Sequence, residues 1–165
     1  MPVREIRLFG DPILRSVTDP IVRFDDATHA LVRDLVDTVS LPGRAGVAAN
    51  QIGVGLRAFS FHVNGRIGCI LNPVLAEVRG EPEFTDEGCL SVPGFSYPRL
   101  RYPWARITGV DQNGAVMELE AEGLLAQAFQ HEIGHLDGAL FIEGLAPDVK
   151  RLAMREIRSA DWFRA

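Results

Sequence analysis

No stretch of this chain reaches eighteen apolar residues in a row, which excludes an ordinary membrane-spanning helix. The opening residues, MPVREIRLFGDPILR, place charges where an export signal needs its apolar run. An excess of basic charge is also missing. Seventeen Lys and Arg stand against 22 Asp and Glu, a formal charge of −5, and no broad basic patch marks a nucleic-acid binder. Lysine is nearly absent, since all but Lys150 of the basic residues are arginine, a bias typical of a GC-rich genome. Cysteine is scarce. With only Cys69 and Cys89 there is no disulfide scaffold, and the expectation is a reducing, cytoplasmic setting where thiols stay available as ligands. Repeats, low-complexity tracts and an interdomain linker are lacking, so residues 1–165 are expected to form one domain with its own core.

What is present is periodicity. Residues 1–24, with Gly10-Asp11-Pro12 and Asp19-Pro20, read as an extended arm with turns. Asp25 or Asp26 caps a helix to about Val39, with Leu31, Leu35, Val36 and Val39 inward and His29 solvated. The segment PGRAGVAANQIGVG is built of small residues. It reads either as a flexible loop or as a place where a substrate backbone comes close, with Gln51 offering an amide donor. The Lys-Ser/Thr ending of a phosphate loop is absent. Strands are expected at 56–62 and 67–71, joined through the hairpin dipeptide Asn64-Gly65, and again at 74–78. Cys69 reads as a small buried core residue and His62 as structural. EPEFTDEGCLSVPG shows neither helical nor strand period. A second hairpin, 105–111 and 116–122, is expected to turn at Asn113-Gly114. A last helix is expected at about 147–162, with Val149, Leu152, Ile157 and Ala160 on one side. Its other side, Lys150, Arg151, Arg155 and Arg158, is basic, either a solvated face or a docking surface.

Between the second hairpin and that helix lies LLAQAFQHEIGHLDG. His131 and His135 are four residues apart and Glu132 follows the first, an H-E-x-x-H pattern. On a helix both imidazoles share one face and can reach a single cation, while Glu132 can face the attacking water as a base. Leu124, Leu125, Ala128, Phe129 and Leu136 supply an apolar face and Gly138 a stop. Alone, the pattern also fits an amphipathic helix with two exposed histidines. A catalytic cation site normally takes three protein ligands. Cys89, flanked by Glu87, Gly88, Leu90 and Ser91, is the best third ligand available, against the plainer reading of a buried hydrophobe. A zinc peptidase reading fares worse: a metzincin needs a histidine where Phe141 stands, and a thermolysin-like ligand at Glu156 leaves the Cys89 segment unexplained.

GVAANQ, EGCLS and QHEIGHLDG, in this order and spacing, resemble the three signature segments of the peptide deformylase family. GDPILR and EFTDEGCLSVPG extend the likeness over about residues 5–150. The resemblance implies an α+β fold, antiparallel strands and hairpins packed around a central metal-binding helix. It also implies hydrolysis of the N-formyl group from formyl-methionine at the start of newly made proteins, with release of formate. By the same resemblance Cys89, His131 and His135 hold one divalent cation, Glu132 is the general acid/base, and Gln51 and the backbone N–H of Leu90 bind the oxyanion. The implied cation is Fe²⁺ in the cell, with Zn²⁺, Ni²⁺ or Co²⁺ in purified protein; thiolate plus imidazole suits several of these. Iron beside a thiolate implies oxidative inactivation. Gly46, Leu90, Leu124, Ala128 and His131 match positions around a methionine pocket. Glu87 and Arg101 match positions that support the site and the peptide backbone, and Gly88 with Gly46 lets a substrate pair as an added strand. The implied partners are formylated N-termini of nascent polypeptides and, through the basic last helix, the ribosome near its exit tunnel; neither membrane nor specific DNA binding is expected.

Two positions depart from the family pattern. Arg44 occupies the first glycine of the Gly-x-Gly-x-Ala-Ala-x-Gln loop, where it either narrows the pocket or points into solvent. Gly134 stands between the histidines where Asp is usual, which costs helix propensity and a polar contact. Both leave room for an alternative, a weakly active or binding-only paralogue that holds formylated peptides.

Overall fold

Alternation of apolar residues along β-strands decides which helix each face of the main sheet receives. The computed structural model describes residues 3–164; Met1, Pro2 and Ala165, the ends of the expected 1–165 domain, lie outside the described residues. Five strands, β1 (Gly46–Ala48), β2 (Ala58–Val63), β3 (Arg66–Arg79), β6 (Trp104–Val110) and β7 (Val116–Glu122), form an antiparallel sheet in the order β1-β2-β3-β6-β7. In β2, Phe59, Phe61 and Val63 face one way and pack on Phe129, Ile133 and Leu136 of α2 (Gly123–Leu136). Ala58 faces the other way, with Leu71 of β3, onto Leu31, Leu35 and Val39 of α1 (Asp26–Val39). Ser60, on that same side, donates its hydroxyl to the Leu35 carbonyl at 2.8 Å. One sheet thus lies between two helices.

A separate ribbon of two strands, β4 (Glu83–Cys89) and β5 (Val92–Arg101), packs beside this sandwich. Its inner residue Tyr97 joins Phe141, Ile142 and Leu145 and the buried Ala153 and Ile157 of α3 (Pro147–Arg158) in a further core cluster. A short α4 (Asp161–Arg164) closes the described chain. Among the described residues no helix is long and apolar enough to cross a membrane.

Several expectations match. α1 begins where Asp25 caps it, its carboxylate accepting from Thr28 N–H at 3.2 Å. The β2–β3 hairpin turns at Asn64 and Gly65, both at positive φ, as a type I′ turn requires. Others need correction. The strands expected at 67–71 and 74–78 are one strand, β3, which passes Asn72-Pro73 through a register shift. There Asn72 stands at φ 51°, and its side-chain amide bonds Ile21 N–H and C=O at 2.8 and 2.9 Å, as a neighbouring strand would. The 81–94 segment, read as aperiodic, contains β4 and the start of β5. Polar residues and prolines hide the period, because the ribbon's outer face meets solvent. Leu124 is 55% exposed and so does not belong to the apolar face of α2. The final helix stops at Arg158, before α4, and Leu152 is 46% exposed where it was expected inward. His29 is half-exposed, its Nε2 lying 3.0 Å from the Gln112 carbonyl. Cys69 is half-buried among residues around α1, and burial pushes its thiol up to about 12.

Gly134 lies inside α2, and a Cβ there would meet only the Ala139 carbonyl, at an ordinary 3.7 Å. Gly134→Ala is therefore expected to stabilise the chain by about 0.5–1 kcal/mol. Thermal unfolding of the metal-free protein should show Tm higher by about 1–4 °C, and a lower Tm would mean the site does not accept a side chain.

Candidate metal centre

Ten of the fourteen residues of α2 are buried, among them Gln130, His131, Glu132 and His135. Burying so many polar groups is costly unless each has a partner, so their partners are informative. His131 Nε2 and His135 Nε2 lie 3.1 Å apart, and Cys89 Sγ lies 3.3 Å from His135 Nε2. Together the three donor atoms fall within 4.8 Å of one another. Cys89 reaches them from the tip of the ribbon, where the Leu90-Ser91 turn joins Cys89 to its partner Val92. Two imidazole nitrogens and a sulfur aimed at one point repel unless a proton or a cation sits among them. Ligand distances of about 2.0–2.3 Å put tetrahedral donors a little over 3 Å apart, so the set fits one borderline-soft divalent cation.

Glu87 organises the next layer. Only 3% exposed, its carboxylate accepts from Arg101 Nε and Nη2 at 2.8 and 2.6 Å, and from Gln127 Nε2 at 3.2 Å. His131 Nδ1 lies 2.7 Å away, which fixes this ring so that Nε2 faces the other donors. Burial would raise the Glu87 pKa, but the Arg101 bonds and then His131 overcome it and hold it well below the carboxylate range. For His131, burial works downward and is outweighed by hydrogen bonds to Cys89 and Glu87, which raise it. His135 is lowered by burial and by the neighbouring His131 charge.

Glu132 is different. It is buried, its Oε2 has no hydrogen-bond partner among the described residues, and burial pushes its carboxyl up to about 7. Gly46 of β1 packs directly over it: a Cβ there would stand 2.5 Å from Glu132 Oε1. The glycine is thus a close-approach position for the carboxylate, beyond any part in a side-chain pocket.

These groups open into a cleft of about 640 Å³. Of the residues singled out in the sequence, Gly46, Gln51, Glu87, Gly88, Cys89, Leu90, Leu124, Ala128, His131 and Glu132 line it. His135 is fully buried behind it, and Arg101 is set back, engaged with Glu87. Arg44 stands at the rim, yet its Nη1 donates to the Thr38 carbonyl at 2.9 Å, near the C-terminus of α1 where a cation is favoured. The guanidinium is thereby neither a plug in the cleft nor free in solvent. Three neighbours of the site carried no assignment from the sequence. Gln127 bonds Glu87, Asn50 Nδ2 donates to the His135 carbonyl at 2.6 Å, and Ser91 Oγ accepts from Gln51 Nε2 at 3.0 Å. Their positions inside or beside the three motifs were the only signal available.

A family model described as polypeptide deformylase matches residues 3–151. The chain belongs to the peptide deformylase family. It is 47% identical over 162 residues to the peptide deformylase of Acidothermus cellulolyticus, covering 98% of this chain and 89% of that one. Peptide deformylase 1 of Corynebacterium efficiens is 43% identical over 167 residues and 99% of both chains. Among solved structures, a peptide deformylase from Legionella pneumophila superposes with TM-score 0.88 at 34% identity, over 98% of this chain and 95% of that one. One from Synechococcus elongatus, in complex with actinonin, gives 0.88 at 28% identity over 99% and 90%. The α+β class is the one the motifs implied, and the family is one of metal-dependent hydrolases.

Gly46→Ala should push the Glu132 carboxylate aside and leave the Cys89, His131 and His135 donors in place. Metal content is expected to stay near wild type while turnover drops by about 100-fold, the lower end of what general acid–base groups supply. Full turnover would show that Glu132 tolerates the displacement.

Proposed function

We propose that this chain, acting as one catalytic unit over 1–165, removes the formyl group from formyl-methionine at the N-termini of nascent polypeptides. The observation that carries the reading is the convergence of Cys89, His131 and His135 beside the buried Glu132, in a chain of the deformylase family. The three donors hold one divalent cation, Fe²⁺ in the cell and Zn²⁺, Ni²⁺ or Co²⁺ after purification. When bound, the cation supplies Lewis-acid chemistry that makes water a nucleophile near neutral pH.

Glu132 takes the proton as water attacks the formyl carbon, and burial, which raises its carboxyl pKa, helps it hold that proton until it is given back. Gln51 Nε2 and the Leu90 N–H stabilise the charge that develops on the formyl oxygen. As the C–N bond breaks, Glu132 returns its proton to the leaving amine, yielding formate and a free N-terminus. Glu87, held by Arg101, keeps the His131 ring in the ligating orientation. Leu124 and Ala128 form walls for the methionine side chain, and the backbone at Gly46 and Gly88 pairs with the extended peptide. Arg44 is occupied by the Thr38 carbonyl and Gly134 faces Ala139, so neither departure gives support to a binding-only paralogue.

The reaction belongs in the cytoplasm, where nascent chains emerge, and α3 offers an exposed basic face of Lys150, Arg151, Arg155 and Arg158 for ribosomal RNA. Co-sedimentation with ribosomes should weaken steeply as salt rises; salt-independent binding, or none, would remove this docking role.

The decisive test is anaerobic formate release from a formyl-Met peptide, with metal content measured on the same sample. Glu132→Gln is expected to keep its cation and lose turnover by about 100-fold or more. Cys89→Ala should lose the cation, and a chelator should abolish activity until metal is restored. Full occupancy in the parent protein without formate release would sink the reading.

A further inference from the structure

Gln51 sits on the 3-10 turn Ala49–Ile52 and is 1% exposed, so its amide depends entirely on protein partners. The Ala48 N–H, which can only donate, lies 3.0 Å from Oε1 and decides which end of the amide is oxygen. Nε2 therefore faces the opposite way. One contact is Ser91 Oγ at 3.0 Å, the other Cys89 Sγ at 3.7 Å. A primary amide carries two N–H groups. With one committed to Ser91, the other is left on the side of the metal ligands and the cleft.

Ser91 is itself 0% exposed. A buried hydroxyl costs free energy unless it is bonded, and an alanine would fill the same space without that cost. The hydroxyl is thus explained by its bond to Gln51. Backbone geometry makes the bond a fixed span: Arg7 N–H donates to the Gln51 carbonyl at 2.7 Å, and Phe9 N–H to the Ser91 carbonyl at 2.8 Å. Residues of the N-terminal arm therefore staple the Gln51 turn to the hairpin turn that carries Leu90. The last torsion of a glutamine side chain is soft. Without an acceptor at Ser91, only the Ala48 bond to Oε1 holds the amide, and its plane can tilt the Nε2 donors away from the cleft.

We infer that Ser91 is a positioning residue whose Oγ locks the Gln51 amide, leaving one N–H aimed at the developing oxyanion beside the Leu90 N–H. This rests on the reading of Gln51 as an oxyanion donor. Such a contact acts in the transition state and hardly in the ground state, so it moves kcat and not KM.

The test is a double-mutant cycle on metal-loaded protein, with metal content and Tm recorded for each variant. Ser91→Ala should lower kcat by about tenfold at unchanged KM and metal content, a smaller loss than the hundredfold or so expected for Gln51→Ala. In the Gln51→Ala background, Ser91→Ala should cost nothing further. Ser91→Thr, which keeps the acceptor oxygen, should restore most of kcat, and Ser91→Cys, a poorer acceptor, serves if the alanine variant does not fold. Undiminished kcat in Ser91→Ala, or losses that multiply in the double variant, would overturn the inference. Full kcat in Gln51→Ala alone would overturn it differently, by removing the oxyanion donor on which it rests.

Discussion

A carboxylate buried between an arginine and a histidine joins the two halves of this molecule. Glu87 belongs to β4, Arg101 to the end of β5, and His131 and Gln127 to α2, so one side chain fastens the ribbon to the central helix. Desolvating such a charge is expensive, and only a full set of donors recovers the cost. Removing Arg101 would leave the buried Glu87 carboxylate with only Gln127 and His131 as partners, a loss of up to about 3–5 kcal/mol. The same bonds that seat the ribbon also orient the His131 ring toward Cys89 and His135, so docking and the geometry of the three donors are one problem with one solution.

Around that pair, the helix supplies polar groups to a place where most helices supply leucine. Phe59, Phe61 and Phe129 interlock with ring centroids 5.6–6.4 Å apart and provide the apolar support on one side of α2. The other side carries His131, Glu132 and His135. Glu132 fits only because Gly46 has no side chain, and a strand of three residues is thereby tied to the buried carboxyl of α2. Small residues in the GVAANQ segment serve proximity more than flexibility.

Much of this was legible beforehand. Spacing of His131 and His135 specified a helix, Asp25 or Asp26 its predecessor's start, and Asn64-Gly65 a hairpin, because each depends on residues close in sequence. The β4–β5 ribbon was not legible. Its solvent side mixes polar residues and prolines with the exposed Phe84 and Leu100, and its inner face alternates Glu87, Tyr97 and Arg101, which reads as surface until Arg101 and His131 are brought to Glu87. Leu124 and Leu152 misled in the opposite sense, as apolar residues at helical spacing that the fold leaves exposed. Arg44 could not be placed without knowing where α1 ends in space, and Ser91 gained meaning only beside Gln51.

The staple from Arg7 to Gln51, the bond from Thr18 to the Leu136 carbonyl and the closure of Cys89 onto His135 all join distant parts of the chain. Contacts of such sequence separation form late and slowly compared with local ones. During synthesis, the Gln51 turn and the Cys89 hairpin therefore leave the ribosome with no helix to close upon until α2 follows. The complete donor set of Cys89, His131 and His135 therefore exists only once α2 has been made, and a cation can be held by all three only after translation has passed residue 136.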